Sequence, residues 1–375
     1  MLDLKLNETP VRTTRNFQSN NITVKNVVLP EDIKEFTNID IISNSEDVII
    51  DNNAENKKLT YGLSGDLEKL VFEKANQKIR ILVNGKIEED IIVNFEFDEN
   101  NLDLIENIEV IASEESSANI FVKYTCKEEA KCPNVACENL SCDKNANIEE
   151  LKYLHNGIIR VLAKENSYLK VTVVNLLDEK TNNFLSIEND VEASAKIDYY
   201  IVDFGGKNSI TNYYTRISGE NGENNLNTIY LGRNKQVFDL NYIGDLEGKK
   251  TKMNIEVQGA LNDKSRKNFK GTLNFKRGAK KAVGDENEFC TLLSDTARSL
   301  AVPMLLCDEE DVEGNHSTAA GKLENEELFY IMTRGFSKKE AMKLMVRAKF
   351  NNIIENIPNE NIKAEILEEI DKRLD

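Results

Sequence analysis

From about residue 20 to residue 285 the apolar residues come in short alternating runs, such as Ala118-Asn-Ile-Phe-Val-Lys-Tyr124, Ser167-Tyr-Leu-Lys-Val-Thr-Val173 and Lys252-Met-Asn-Ile-Glu-Val257. Each run predicts a half-buried strand. Between them lie Asn, Asp, Gly and Ser clusters, including Asp203-Phe-Gly-Gly206 and Ser218-Gly-Glu-Asn-Gly222, which supply the positive φ that tight corners need. A helical period is nearly absent there, apart from a turn expected around Asp66 to Ala75. Many short strands without intervening helices exclude a doubly wound sheet and leave a sandwich, a barrel or a β-solenoid.

After Lys322 the pattern changes. A short helix is expected from Glu326 to Arg334, stopped at Gly335, and Ser337-Lys-Lys-Glu340 forms a capping box for a second. Ala341, Leu344, Met345 and Ala348 fall at the spacing of one apolar stripe, and Ile362, Ile366 and Ile370 line a third helix after Pro358. Such a tail suits either docking onto a partner or capping the β region.

The 375 residues carry 65 acidic and 48 basic side chains, a formal net charge of −17, so nucleic-acid phosphates and anionic membrane surfaces are repelled by the average face. The first residues show no basic and then apolar leader, and no apolar run reaches membrane-spanning length. A soluble, cytoplasmic protein with no nucleic-acid or membrane partner is expected. Six cysteines are too sparse for a disulfide scaffold, which leaves them as thiols or ligands.

Four of them, Cys126, Cys132, Cys137 and Cys142, are spaced C-x5-C-x4-C-x4-C, with His155 beyond. Thiolates suit zinc and iron–sulfur centres, but structural zinc sites usually space a cysteine pair by two to four residues. The segment is therefore a candidate additional metal or cluster site, or a set of loop thiols. His155 alone reads as a structural histidine.

A second signal is more specific. Ala260-Leu-Asn-Asp-Lys-Ser-Arg266, Phe269-Lys-Gly271, Leu292-Leu-Ser294, Pro303-Met-Leu-Leu-Cys307, the Asp311-Val312 to His316-Ser317 segment and Leu328-Phe-Tyr330 before Arg334-Gly335 follow one another in order. Together they resemble the C-terminal core of the SufB/SufD family of iron–sulfur cluster assembly scaffolds, most closely over residues 196 to 350. The resemblance implies a right-handed parallel β-helix, residues 1–320, followed by a helical subdomain, residues 321–375, that docks a SufC-type ATPase.

It further implies a non-enzymatic scaffold that builds a transient iron–sulfur cluster at a subunit interface. The partners would be a second copy or a SufB/SufD paralogue, a sulfur donor and apo-protein acceptors. Cys307 stands where the resemblance places an interface cysteine, and His316 where it places an interface histidine. Cys290 alternates with Leu292 and reads as a packed thiol or as a further ligand near Cys307. Ser317 replaces the glutamate that SufB-type members commonly carry after the histidine, so a carboxylate would come from Glu309, Glu310 or Glu313. The long helical N-terminal domain of SufB and SufD proteins has no counterpart among these residues.

The phosphate-cradling G-x-x-x-x-G-K-[S/T] pattern is absent, which leaves ATP hydrolysis to a partner. Two other readings compete: a β-helix polysaccharide-active enzyme, disfavoured by the lack of Trp and of a leader, and a metal-storage or redox protein built on the four-cysteine segment.

Overall fold

The structure, a computed structural model, describes residues 2–12, 19–127 and 153–375. An N-terminal hairpin of β1 (Leu2–Leu6) and β2 (Ile22–Val27) precedes β3 (Ile39–Ile42), β4 (Val48–Asp51) and α1 (Gly65–Lys74). Strands then follow without interruption by helix: β5 (Gln77–Val83), β6 (Lys86–Phe97), β7 (Asp103–Ala112), β8 (Ser117–Cys126), β9 (Tyr153–Ala163), β10 (Tyr168–Asn175), β11 (Thr181–Val191) and β12 (Lys196–Asp203). The series continues with β13 (Asn208–Ile217), β14 (Glu223–Gly232), β15 (Val237–Leu246), β16 (Lys252–Leu261), β17 (Arg266–Phe275), β18 (Ala282–Leu292), β19 (Arg298–Cys307) and β20 (Val312–Lys322). The chain ends in α2 (Asn325–Thr333), α3 (Lys338–Ile354) and α4 (Glu360–Arg373).

From β5 onward, odd-numbered strands pair in parallel in one sheet and even-numbered strands in the other. Each turn of this parallel β-solenoid therefore contributes one strand to each of two facing sheets. Register stacks equivalent residues into columns. One interior column runs Ile91, Ile120, Val171, Tyr199, Leu226, Ile255, Glu286, His316. Another runs Ala112, Ala163, Val191, Ile217, Leu246, Phe275, Cys307. Both are apolar until their last members.

The corners explain how the sheet turns repeat. Glu115, Asn166, Ser194, Asn221, Lys250 and Lys281 all take positive φ, and each backbone N–H from Glu115 to Lys281 donates to a carbonyl of the next turn's corner. The sequence placed positive φ on Gly and Asn clusters. Gly206 and Asn221 do adopt it, but Glu115 and both lysines do so as well, at a cost of about 1–2 kcal/mol each that the ladder of corner bonds offsets.

Both outer faces are covered, which is why many strands carry apolar residues on both alternations. Leu4, Leu6, Val24, Val27, Leu67 and Val71 of the N-terminal segment and α1 pack onto Ile105, Ile158, Phe184 and Ile210 of the odd sheet. Val346, Phe350, Ile353, Ile362, Ile366 and Ile370 of α3 and α4 pack onto Phe121, Val174, Tyr200, Val202, Ile229 and Leu231 of the even sheet. The expected turn at Asp66 is a full helix, its first turn capped by the Ser64 side chain, which accepts from the Leu67 N–H. Ser337 and Glu340 close the capping box at α3. The anticipated stripe on α3 splits: Ala341 and Met345 are buried, whereas Leu344 and Ala348 face outward, because the solenoid meets α3 along Val346, Phe350 and Ile353 instead.

The two ends differ. At the first, β3 and β4 add antiparallel strands against β6 and β5 and end the parallel stack. At the last, every residue of β20 after Val312 is exposed and β19 is mostly half-buried. Among the described residues no helix is long and apolar enough to cross a membrane.

Midway along the interior lies a polar group. His155 is fully buried between Glu106 at 3.2 Å and Asn183 at 2.5 Å, a structural role as its isolated position implied. Asp203 accepts from Asn175 at 2.8 Å and from Ser209, and burial pushes its carboxyl up to about 7. Its unfolded value is near 3.8, so the folded chain retains a proton there that the unfolded chain has lost. This contribution is fully present below that value and is lost as pH rises through about 7. Asp203→Asn, which keeps the shape, is therefore expected to flatten the fall in urea midpoint between pH 5 and pH 7.5; an unchanged slope would mean that Asp203 is ionised throughout.

Candidate functional site

The open end presents the last rung of the interior. By alternation β19 directs Ser299, Ala301, Pro303, Leu305 and Cys307 toward it, and β20 directs Val312, Gly314, His316, Thr318 and Ala320. One rung deeper stand Lys267, Phe269, Gly271, Leu273 and Phe275 of β17, facing Ala282, Gly284, Glu286, Glu288 and Cys290 of β18. By register Cys307 and His316 both lie on the interior alternation of the last two strands. They are not neighbours: Cys307 lies at the rim corner, and His316 is the fifth residue of β20.

The Cys307 thiol is exposed and its S–H donates to the Glu309 carbonyl at 2.9 Å. Glu309 itself holds the turn, accepting from the Gly278 N–H at 3.0 Å, which with the Asp311 and Glu310 amides keeps its carboxyl below the usual range. Glu313 is exposed and pairs with Val283 on the outward alternation of β18. Two of the three expected carboxylate donors are thus committed to the turn or directed outward.

Beneath the mouth the interior is charged. Lys267 and Glu288 form a fully buried ion pair at 2.7 Å, and the Tyr230 hydroxyl donates to the same carboxylate at 3.1 Å. Lys267 also donates to the Leu300 carbonyl at 3.3 Å. Glu286, fully buried, has neither carboxylate oxygen hydrogen-bonded, and burial with the nearby Glu288 charge raises it to about 8. Its carboxyl lies against Gly271, where any Cβ would come within 2.2 Å of it. Cys290 is buried as alternation indicated, and burial raises its thiol despite the adjacent Lys267 charge and a hydrogen bond with Tyr230. Sequence reasoning missed Lys267, Glu286 and Glu288. In sequence they pass as the polar members of alternating strands, which do not say which alternation faces inward.

Cys126 ends β8, half-buried, and burial with the Asp178 charge pushes its thiol up to about 12. Cys132, Cys137 and Cys142 lie outside the described residues. No three His, Cys, Asp or Glu side chains converge as a metal site among the described residues of one chain.

A second surface lies on the tail. α2 buries none of its residues, and Phe329, Tyr330, Met332 and Phe336 are exposed, Phe329 at 67%. Between α2 and α3 runs a cleft of about 700 Å³, lined by Tyr330, Ile331, Leu344, Met345 and Ala348 together with Glu326, Glu327 and Lys349.

Comparison with known proteins gives a consistent result. The family described as "SUF system FeS cluster assembly, SufBD core domain" matches residues 95–349. The chain is similar to the iron–sulfur cluster assembly protein SufD of Bacillus subtilis, 24% identical over 220 residues, covering 58% of this chain and 50% of that one. An iron–sulfur cluster assembly SufBD family protein of Pyrococcus horikoshii is 30% identical over 210 residues, 55% of this chain and 46% of that one. Escherichia coli SufD is 26% identical over 165 residues, 44% and 38% of the two chains. These matches span half or less of each relative.

Proposed function

Since the chain belongs to the SufBD family of the SUF iron–sulfur cluster assembly system, we propose that it is a non-enzymatic, cytoplasmic scaffold that builds a cluster at its open solenoid end and passes it to apo-proteins. The observation that carries this reading is the change at the last two rungs, where apolar columns end in Cys307, His316 and Glu286. Soft and borderline ligands suit iron and sulfide, which are cargo here. Cys307 and His316 supply ligands at the rim, and Cys290 is a deeper thiol. An unpaired edge strand with an exposed interior face is a surface that a second copy or a paralogue covers, and such pairing brings two sets of ligands together. The test is anaerobic reconstitution with iron and sulfide: the reading expects sulfur-to-iron charge-transfer absorption that gel filtration does not remove, and chelator-labile iron alone would refute it.

The ATPase partner docks, on this proposal, at the α2–α3 cleft. α4 packs its apolar face on the solenoid, with Arg373 donating to the Phe204, Leu176 and Leu177 carbonyls, which leaves the exposed apolar residues of α2 as the surface proposed for docking. Phe329→Asp with Tyr330→Asp is expected to weaken capture of a SufC-type ATPase at least tenfold in a pull-down titration while leaving circular dichroism unchanged. Undiminished capture would place the docking surface elsewhere. The auxiliary site at Cys126, Cys132, Cys137 and Cys142 stays a proposal with its own test, namely loss of bound metal in Cys132→Ser/Cys137→Ser.

A further inference from the structure

Resting on the open-end reading, we infer that Glu286 is the carboxylate ligand of that site, paired with His316 to receive a divalent iron ion. His316 and Glu286 are register partners on β20 and β18, so their Cα atoms stand one strand spacing, about 4.8 Å, apart with both side chains on the interior alternation. Glu286 is fully buried, and both of its oxygens lack a hydrogen bond.

A buried carboxyl normally recruits donors, and neither oxygen of this one has a hydrogen-bond partner among the described residues. Lys267 is committed to Glu288 at 2.7 Å and to the Leu300 carbonyl. The nearby Glu288 charge repels it. Gly271 keeps the space opposite clear, since a Cβ there would meet the carboxylate. In the same column every earlier member from Ile91 to Ile255 is hydrophobic, so packing alone has no use for an acid at this rung. An unpaired acid beneath an exposed imidazole, at the one open end of the stack, is the arrangement that a cation completes. It also supplies what the sequence lacks at Ser317. Glu309 is tied to the Gly278 amide and Glu313 lies on the outward alternation.

Co(II), whose ligand-field bands report coordination, serves as the probe on the purified full chain under anaerobic conditions. Glu286→Gln is expected to weaken Co(II) binding at least tenfold and to change the same bands as His316→Ala, while its melting temperature matches or exceeds that of the native chain. Glu286→Leu is expected to do the same, with a clearer gain in melting temperature. If Glu286→Gln binds Co(II) as the native chain does while Cys307→Ser and His316→Ala lose it, this inference fails and the open-end reading stands. A drop in melting temperature together with the loss of Co(II) would make Glu286 a structural residue and overturn the inference. Unchanged binding in all three variants would overturn the reading of the site itself.

Discussion

Replacing Lys267 by Met is expected to destabilise the folded chain by about 3–5 kcal/mol at neutral pH, the usual cost of stranding one partner of a buried ion pair. Lys267 and Glu288 are both fully buried and 2.7 Å apart, and the second oxygen of Glu288 has no partner even with lysine present. Without the ammonium, Glu288 keeps only the Tyr230 hydroxyl, beside the already uncompensated Glu286. Lys267→Met/Glu288→Leu removes both charges and is expected to recover most of the loss, because an apolar pair of similar volume is often no worse than a buried ion pair. Urea denaturation of the two variants at pH 7.5 checks this. A single variant as stable as the native chain would show that water reaches the pair.

The second large effect concerns chemistry. Cys307→Ser is expected to abolish reconstituted cluster, and His316→Ala to leave a weaker or more labile one, because a hydroxyl stays protonated where a thiol ionises to bind iron. Cys307 is exposed at the rim, where iron and sulfide reach it from solvent, and its S–H donates to the Glu309 carbonyl. Cys290 is one rung deeper, where burial keeps the proton on sulfur. Neither variant should unfold the chain. His316 and Cys307 lie at the exposed end of columns whose weight is carried by residues such as Ile255, Leu226, Leu246 and Ile217.

The individual elements were legible because strands and helix starts are written locally, whereas the choice of a parallel solenoid over a sandwich or barrel came from the family resemblance. Alternation at Ala118–Tyr124 and Lys252–Val257 marked strands, Ser337 and Glu340 marked a helix start, and Ile362, Ile366 and Ile370 marked the buried face of α4. The deeper half of the site was not legible, for a physical reason. Glu286, Glu288 and Lys267 look like the polar members of alternating strands, and a strand alone does not say which alternation faces inward. Only the pairing with Ile255, Val257 and Phe238 shows that these charges occupy interior columns. The split of the α3 stripe was hidden in the same way, since the face of a helix is decided by what it packs against, here the outer side of the even sheet.

The most direct test of the central claim is anaerobic reconstitution of folded native chain, Cys307→Ser and Cys290→Ser side by side with iron and sulfide, read by absorption and Mössbauer spectra. A scaffold that assembles its cluster at the rim of the open solenoid end predicts cluster on the native chain and on Cys290→Ser, at reduced stability in the latter, and none on Cys307→Ser. Native levels of cluster on Cys307→Ser with none on Cys290→Ser would contradict it and move the site one rung inward.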